Sequence, residues 1–137
     1  MPSVRPVVFL AVLLLVGASG RFVSAQTVYT ITDLGSLGGN SFAYGVNDHG
    51  DVVGESQLAG NVVHRAVLWR NGTMIDLGTL TPVHDSAIAW EVNNRRQVVG
   101  ESMTGVDQNQ GLPFVWDDGV MTALPLLPGH RSGYAWA

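Results

Sequence analysis

Two segments of this 137-residue chain repeat each other, and the repeat limits the possible folds more than any other feature. Residues 46–56 (VNDHGDVVGES) align with residues 92–102 (VNNRRQVVGES), and residues 66–77 align in the same way with residues 113–124. An alanine followed by an aromatic residue recurs at 43, 89 and 135. Series that recur at one period are typical of repeat proteins, in which each unit is one supersecondary motif.

Each repeat has the turn signals of four short strands. Gly50, Gly72 and Gly119 close the sequences Asp-His-Gly, Asn-Gly and Asp-Gly, and glycine there supplies the positive φ that tight hairpin turns require. The sequence predicts strands at 42–47, 51–55, 66–69 and 73–77 in the first repeat, and at 88–93, 97–101, 114–116 and 120–124 in the second.

The third strand of each repeat is apolar throughout, with AVLW at 66–69 and PFVW at 113–116. Such a strand needs cover on both faces, which radially stacked blades provide. We therefore predict an all-β fold in which repeats of four short antiparallel strands form a propeller-like partial array. A β-solenoid or a sandwich is the alternative. Trp69 and Trp116 end these strands and are predicted to be interior.

The first 25 residues have the pattern of a secretory signal. Arg5 precedes an apolar run at 7–16, about half the length of a membrane-spanning helix, and Val23-Ser24-Ala25 offers a cleavage site. We expect cleavage after Ala25, no stable membrane insertion afterwards, and a secreted or periplasmic protein, extracellular in a bacterium.

The remaining residues, 26–137, are predicted to form one β-repeat domain. It would contain an outer strand at 27–34, repeat one at 42–77, repeat two at 88–124 and the start of a third repeat at 134–137. The first and last of these strands would lack partners, so we expect a fragment of a longer array. Its open blade edges would favour self-association.

Composition excludes several classes of function. The chain has no cysteine, which removes disulfides, thiolate catalysis and cysteine metal sites, and its net charge of −4 makes nucleic acid a poor partner. The four histidines share no spacing, and the oxygen-rich segment 47–51 lacks the alternating acids of a calcium loop. We expect no cofactor and no metal.

The repeat resembles that of the HAF repeat family of bacterial extracellular proteins. The resemblance covers Val-Asn, Val-Val-Gly-x-Ser, the apolar strand ending in Trp, and Asp-Leu-Gly-x-Leu, which occurs at 33–37 and 76–80. The tripeptide that gives the family its name is altered, to RAV at 65–67 and LPF at 112–114. The resemblance implies export and a β-repeat body, and it implies no reaction.

Two polar features are interpreted as turn chemistry. Asp33 and Asp76 precede Leu-Gly and are expected to cap turns with their side chains. The turn residue Gly50 is replaced by Arg96 in the second repeat. That replacement costs about 1 kcal/mol if the backbone there stays left-handed.

Glu55 and Glu101 follow Val-Val-Gly in both repeats and are weak catalytic candidates. Paired acids in a shared channel can transfer protons. A charge that ends each inner strand would equally keep the rim of a blade hydrated. Because the chain also has no Gly-x-Ser-x-Gly nucleophile motif, enzymatic activity is not expected.

Tyr44, Trp90 and Trp136 recur at one strand position and are the weak binding candidates. Exposed aromatic side chains suit stacking on sugar rings or contact with a peptide, although recurrence also fits packing between blades. The leading prediction is a secreted, non-enzymatic scaffold or binding module that contacts protein or glycan. The alternatives are a propeller-type glycan-binding protein and a hydrolase or lyase that uses channel carboxylates.

Overall fold

The computed structural model describes residues 29–60, 63–104 and 107–136, without the side chains of 107–109. These ranges contain eight strands: β1 Gly38–Val46, β2 Val52–Leu58, β3 His64–Arg70, β4 Thr73–Gly78, β5 Ser86–Val92, β6 Val98–Thr104, β7 Asp107–Asp117 and β8 Val120–Ala123. They contain no helix, so the predicted all-β class is confirmed. A helix long and apolar enough to cross a membrane is accordingly not found in these ranges.

The strands form two antiparallel sheets, one for each repeat. Within each sheet the strands lie in chain order, β1-β2-β3-β4 and β5-β6-β7-β8. Neither sheet closes into a barrel. This is the meander of a propeller blade, whereas a β-solenoid would pair equivalent strands of successive repeats in parallel. Both sheets belong to one compact unit, Thr32–Ala137.

The hairpin turns have the conformation that their sequences predict. Asn71 and Gly72 have φ values of 52° and 76°, and Asp118 and Gly119 have φ values of 45° and 91°. Both central residues of each turn are therefore left-handed, which is the requirement of a type I′ hairpin. The structural roles predicted for Gly72 and Gly119 are confirmed.

The aspartates before Leu-Gly cap turns, as predicted. Oδ1 of Asp33 accepts a hydrogen bond from the backbone N–H of Gly35 at 2.9 Å, and Oδ1 of Asp76 accepts one from Gly78 at 2.9 Å. Both glycines have positive φ, 77° and 84°. The side chain thus closes a short Asx turn at each place.

The serine of each Val-Val-Gly-x-Ser motif fastens the segment that enters its sheet. Ser56 and Ser102 are fully buried. The hydroxyl oxygen of Ser56 accepts a hydrogen bond from the N–H of Leu37 at 2.8 Å, and that of Ser102 accepts one from Leu80 at 3.1 Å. The two separated motifs of the repeat are therefore joined by the same contact in both copies.

The glycine of each Val-Val-Gly motif is required by the close approach of the neighbouring strand. A Cβ at Gly54 would overlap the carbonyl oxygen of Phe42, and a Cβ at Gly100 would overlap that of Ile88. No side chain fits at either position, so the motif fixes how closely the first two strands of each sheet pack.

One hydrophobic core joins the two sheets. Its buried residues are Val53, Ala66, Leu68, Leu77, Ala87, Ala89, Val92, Val98, Phe114 and Trp116. Trp69 and Trp116 are only 4% and 6% exposed, which confirms the prediction that both are interior. Strand β3 is buried on both faces from Ala66 to Trp69, as its continuous apolar pattern predicts.

Equivalent turns of the two repeats are hydrogen-bonded to each other. Nδ2 of Asn47 donates to the carbonyl of Asn93 at 3.1 Å. Asp48 and Asn94 exchange two bonds, from the Asp48 N–H to Oδ1 at 3.0 Å and from the Asn94 Nδ2 to Oδ2 at 2.6 Å. These contacts fix the position of one sheet relative to the next.

Arg96 adds an ion pair to this junction. The backbone stays left-handed there, with φ 68° against 77° at Gly50, so the replacement carries the expected strain and the predicted role of Gly50 is confirmed. Nε of Arg96 lies 3.1 Å from Oδ2 of Asp51, and Nε of Arg70 lies 3.2 Å from Oδ1. Asp51 is only 2% exposed. The buried carboxylate gives a physical reason for an arginine at a position that favours glycine.

Two predicted terminal strands are wrong. Residues 29–34, the described part of the strand expected at 27–34, pair with no strand of either sheet and therefore form no ladder. Residues 134–136 are not a strand either. The N–H of Ala135 makes one bond, to the carbonyl of Gly100 at 3.3 Å, and one bond does not form a ladder. The predicted signal peptide at 1–25 lies outside the described residues.

Candidate functional site

A β-bulge in the first strand of each sheet places an aromatic side chain. In β1 the pairing with β2 shifts between Ala43 and Gly45, and in β5 the pairing with β6 shifts between Ala89 and Glu91. The intervening residues are the recurrent aromatics Tyr44 and Trp90. A bulge leaves one residue out of the ladder and re-aims its side chain, and bulges often occur beside functional sites.

Tyr44, Trp90 and Trp136 form an aromatic row across successive repeats. The ring centroids of Tyr44 and Trp90 lie 4.9 Å apart at 38°, and those of Trp90 and Trp136 lie 6.2 Å apart at 18°. Tyr44 is 42% exposed and Trp136 is 70% exposed, whereas Trp90 is half-buried between them. The three binding candidates therefore form one continuous surface, open to water at both ends.

Glu55 lies beside this row, and each of its carboxylate oxygens has a polar neighbour. Oε1 accepts a hydrogen bond from the hydroxyl of Tyr44 at 2.6 Å, and Oε2 lies 2.7 Å from Nδ1 of His64. The residue is only 6% exposed. Burial, together with the bond to Glu55 and its negative charge, raises the pKa of Tyr44 above its usual value.

His64 begins β3 rather than lying in a loop as the sequence predicted. Nε2 of His64 lies 3.3 Å from the side-chain amide nitrogen of Gln57. Gln57 and His64 are direct partners in the β2–β3 register, so Glu55, two residues along the same face, is within reach of the ring.

Glu101 has different surroundings from its counterpart. Burial raises the pKa of Glu101. The Trp90 indole acts to lower this pKa, and the negative charge of Glu55 raises it further. A Cβ at Gly111, on the neighbouring strand β7, would lie 2.6 Å from Oε2 of Glu101. The glycine therefore leaves room for the carboxylate, and no imidazole is provided there.

These side chains converge on one cavity of about 410 Å³. Strands of both sheets line it, through Glu55, His64, Ser86, Ile88, Trp90, Glu101 and Met103. Its volume falls within the usual range for small-molecule sites, roughly 300–1,000 Å³. A pocket with an apolar floor and a few converging polar groups is the standard form of a ligand site.

The structure brings together most of the candidates chosen from the sequence. Glu55, Glu101 and Trp90 line the cavity, and Tyr44 and Trp136 adjoin it through the aromatic row. Sequence reasoning missed His64, Ser86 and Met103. None of the three occupies a position that recurs in both repeats, so the sequence carries no direct signal for them.

No group of three histidine, aspartate or glutamate side chains in the described part of the chain is placed to hold a metal ion. The cavity has one imidazole and two carboxylates in its lining, and Nδ1 of the imidazole lies 2.7 Å from one of the carboxylates. What the residues present offer is hydrogen bonding, negative charge and aromatic surface.

Comparison with protein-family models, with curated proteins and with solved structures gives no match.

Proposed function

We propose that this chain is a non-enzymatic binding module of the HAF-repeat type, exported by a bacterium, and that its ligand occupies the cavity between the two repeats. The observation that carries the proposal is convergence. Recurrent aromatic and acidic positions, separated by one repeat in the sequence, reach a single pocket of about 410 Å³. Packing alone would not require two carboxylates at its wall, because buried charge opposes folding.

The held state of Glu55 supports binding rather than catalysis. Oε1 of Glu55 accepts a hydrogen bond from Tyr44, and Oε2 lies 2.7 Å from Nδ1 of His64. A nucleophile or a general base works best with an oxygen directed at the substrate. Both oxygens of Glu55 instead have a neighbour within the protein, which favours recognition.

A screen for ligands tests the binding function without assuming a ligand class. The purified protein is titrated with neutral glycans, amines, carboxylates and short peptides, while thermal unfolding and tryptophan fluorescence are recorded. A bound ligand stabilises the folded state by mass action, so the midpoint of unfolding rises with ligand concentration. Trp90→Phe should weaken the response more than Trp136→Phe, because Trp90 lines the cavity. A flat response to every class would overturn the proposal.

A second candidate is a hydrolase or lyase, favoured by the unlike environments of the two carboxylates. Glu101, whose pKa is raised, would act as the acid. Turnover of a glycoside or polyuronide that is lost in Glu101→Gln would support an enzyme. The same variant should leave the thermal stability of the protein unimpaired, which separates loss of chemistry from unfolding.

Export is tested on the organism's culture medium. Mass spectrometry of the exported chain should give an N-terminus at Gln26. An intact leader in the membrane fraction would contradict the proposed location.

A further inference from the structure

We propose that the cavity binds an organic cation, an ammonium or guanidinium group carried by a small amine or by the side chain of a peptide. This inference rests on the proposed binding function and names the chemistry of its ligand. Four observations support it: the charge of the pocket, the pairing of acids with arginine elsewhere in the fold, the aromatic wall of the pocket and the size of the pocket.

The first argument is charge. The cavity wall has two carboxylates, Glu55 and Glu101, and no arginine. Its one imidazole, His64, has Nδ1 2.7 Å from Oε2 of Glu55, and the two carboxylates outnumber it. The chain contains no lysine. The pocket is therefore anionic, and it attracts positive charge in an environment of low dielectric.

The second argument is that other acids of the fold are neutralised by arginine. Asp51 pairs with Arg70 and Arg96, and Asp76 pairs with Arg65 through an Nε to Oδ2 contact of 3.2 Å. The ion pairs among the described residues include no such partner for Glu101. A cation from outside would supply to the cavity what arginines supply elsewhere.

The third argument is the aromatic wall. Trp90 lines the cavity, and its ring is tilted by 38° against that of Tyr44 and stacked at 18° on that of Trp136. Tryptophan is the strongest aromatic partner for a cation, and a ring beside carboxylates is a common way to recognise substituted ammonium groups. Ile88 and Met103 offer an apolar surface for the alkyl part of the same ligand.

Size limits the ligand to one cationic group with a short stem. A pocket of about 410 Å³ admits a substituted ammonium or the end of an arginine side chain.

The test uses calorimetric titration of the purified protein with choline, with Nα-acetyl-arginine amide and with 3,3-dimethylbutan-1-ol, which is the neutral isostere of choline. We expect both cations to bind at least about tenfold more tightly than the alcohol, because the isostere lacks the charge and keeps the shape. Choline binding more tightly identifies a free amine as the ligand. The arginine amide binding more tightly identifies a peptide side chain.

Glu101→Gln is the informative variant, because it removes a charge from the cavity wall without touching the bonds of Glu55. It should weaken both cations about tenfold and leave the affinity for the alcohol unchanged. Asp118→Asn removes the same charge from an exposed turn outside the cavity lining and should leave all three affinities unchanged. Folding of each variant is checked by its unfolding midpoint.

Three results would overturn the inference. Equal binding of choline and its isostere would show that shape, not charge, is recognised. Binding of a neutral glycan that needs Trp90, with no binding of either cation, would leave the binding function standing and remove the cation. No binding of any probe, in the screen or in this titration, would remove both.

Discussion

Glu55 and Glu101 occupy the same position of the repeat and have opposite surroundings. Glu55 is 6% exposed, and Tyr44 and His64 hold its two oxygens. Glu101 is half-buried, with Gly111 on the neighbouring strand β7 and no imidazole beside it. The carboxylate thus has the same position in both repeats, whereas the side chains that contact it differ. Glu55 has a neighbour at each oxygen, whereas Gly111 leaves room beside Glu101.

At the junction between the repeats, too, equivalent positions have different partners. Asp51 of the first repeat, buried, pairs with Arg70 and Arg96. Its counterpart Gln97 donates a hydrogen bond from Nε2 to Asp117 at 3.1 Å, on the surface. The position retains a polar link to the third strand in both copies. The position carries a charge only in the first repeat, where Arg96 of the second repeat contacts it.

The largest effect is expected where the two repeats are alike. Trp69→Ala and Trp116→Ala each remove a buried ring and should each lower the free energy of unfolding by about 3–5 kcal/mol, measured by urea denaturation. Trp136→Ala is the control, because its ring is 70% exposed and its loss should cost far less. Unequal losses in the free energy of unfolding at Trp69 and Trp116 would show that the two sheets are not equivalent.

A smaller effect should separate Asp51 from Gln97. Asp51→Asn removes two charge-assisted contacts of a buried group and should lower the free energy of unfolding by about 2–3 kcal/mol. Gln97→Ala removes one surface hydrogen bond and should stay within about 0.5 kcal/mol of the parent. Equal losses in the two variants would mean that the junction does not depend on the ion pair.

The contributions of Asp51 and Glu101 to stability should have opposite dependences on pH. Burial favours a raised pKa at Asp51, but the bond from Asn47 and the charges of Arg70 and Arg96 lower the pKa below 3.8, so its contribution to stability is present above 3.8 and lost as pH falls further. The pKa of Glu101 is raised above 4.5, so the native state is favoured at low pH and loses that advantage as pH rises through 4.5.

Unfolding of Asp51→Asn and Glu101→Gln, followed from pH 3 to pH 7, measures these two contributions. Asp51→Asn should differ most from the parent at the upper end of this range and converge with it in acid. Glu101→Gln should match the parent in acid and become the more stable protein above 4.5. Parallel curves for either variant and the parent would contradict the assignment for that residue.

The smallest effect is expected for Arg96→Gly, which restores the glycine of the first repeat. Relief of the left-handed arginine contributes about 1 kcal/mol, and loss of one contact to Asp51 offsets it, so the net change should lie within about 1 kcal/mol. Thermal unfolding at two salt concentrations measures it. A clear stabilisation at low salt would show that the ion pair contributes nothing at this junction.

Much of the frame can be predicted from the sequence because it depends on local chemistry. Asn71-Gly72 specifies its turn through backbone conformation alone, and Trp69 is interior because the strand before it is apolar on both faces. The site is different. The contact of His64 with Glu55 depends on the register between β2 and β3, and the bulge at Tyr44 depends on how closely Gly54 lets the strands approach.

The recurrence of Tyr44, Trp90 and Trp136 in the sequence indicated a shared role without saying which. Their row follows from the distance between successive sheets, which is set by the turn contacts at Asn47 and Asn93 and has no local sequence signal. The expected strands at 27–34 and 134–137 failed for a related reason. Strand-like composition gives a strand only where a neighbouring strand pairs with the segment, and the composition does not identify that neighbour.

The most direct test of the account is an NMR titration of the purified protein with Nα-acetyl-arginine amide and choline. The chain has four tryptophans, so its indole N–H signals can be assigned with one Trp→Phe variant each. If the cavity binds a cation, the indole signal of Trp90 and the methyl signal of Met103 should shift together and saturate, while the signals of the interior Trp69 and Trp116 stay in place. Shifts at Trp69 and Trp116 with none at Trp90, or no saturable shift at any of the four, would contradict it.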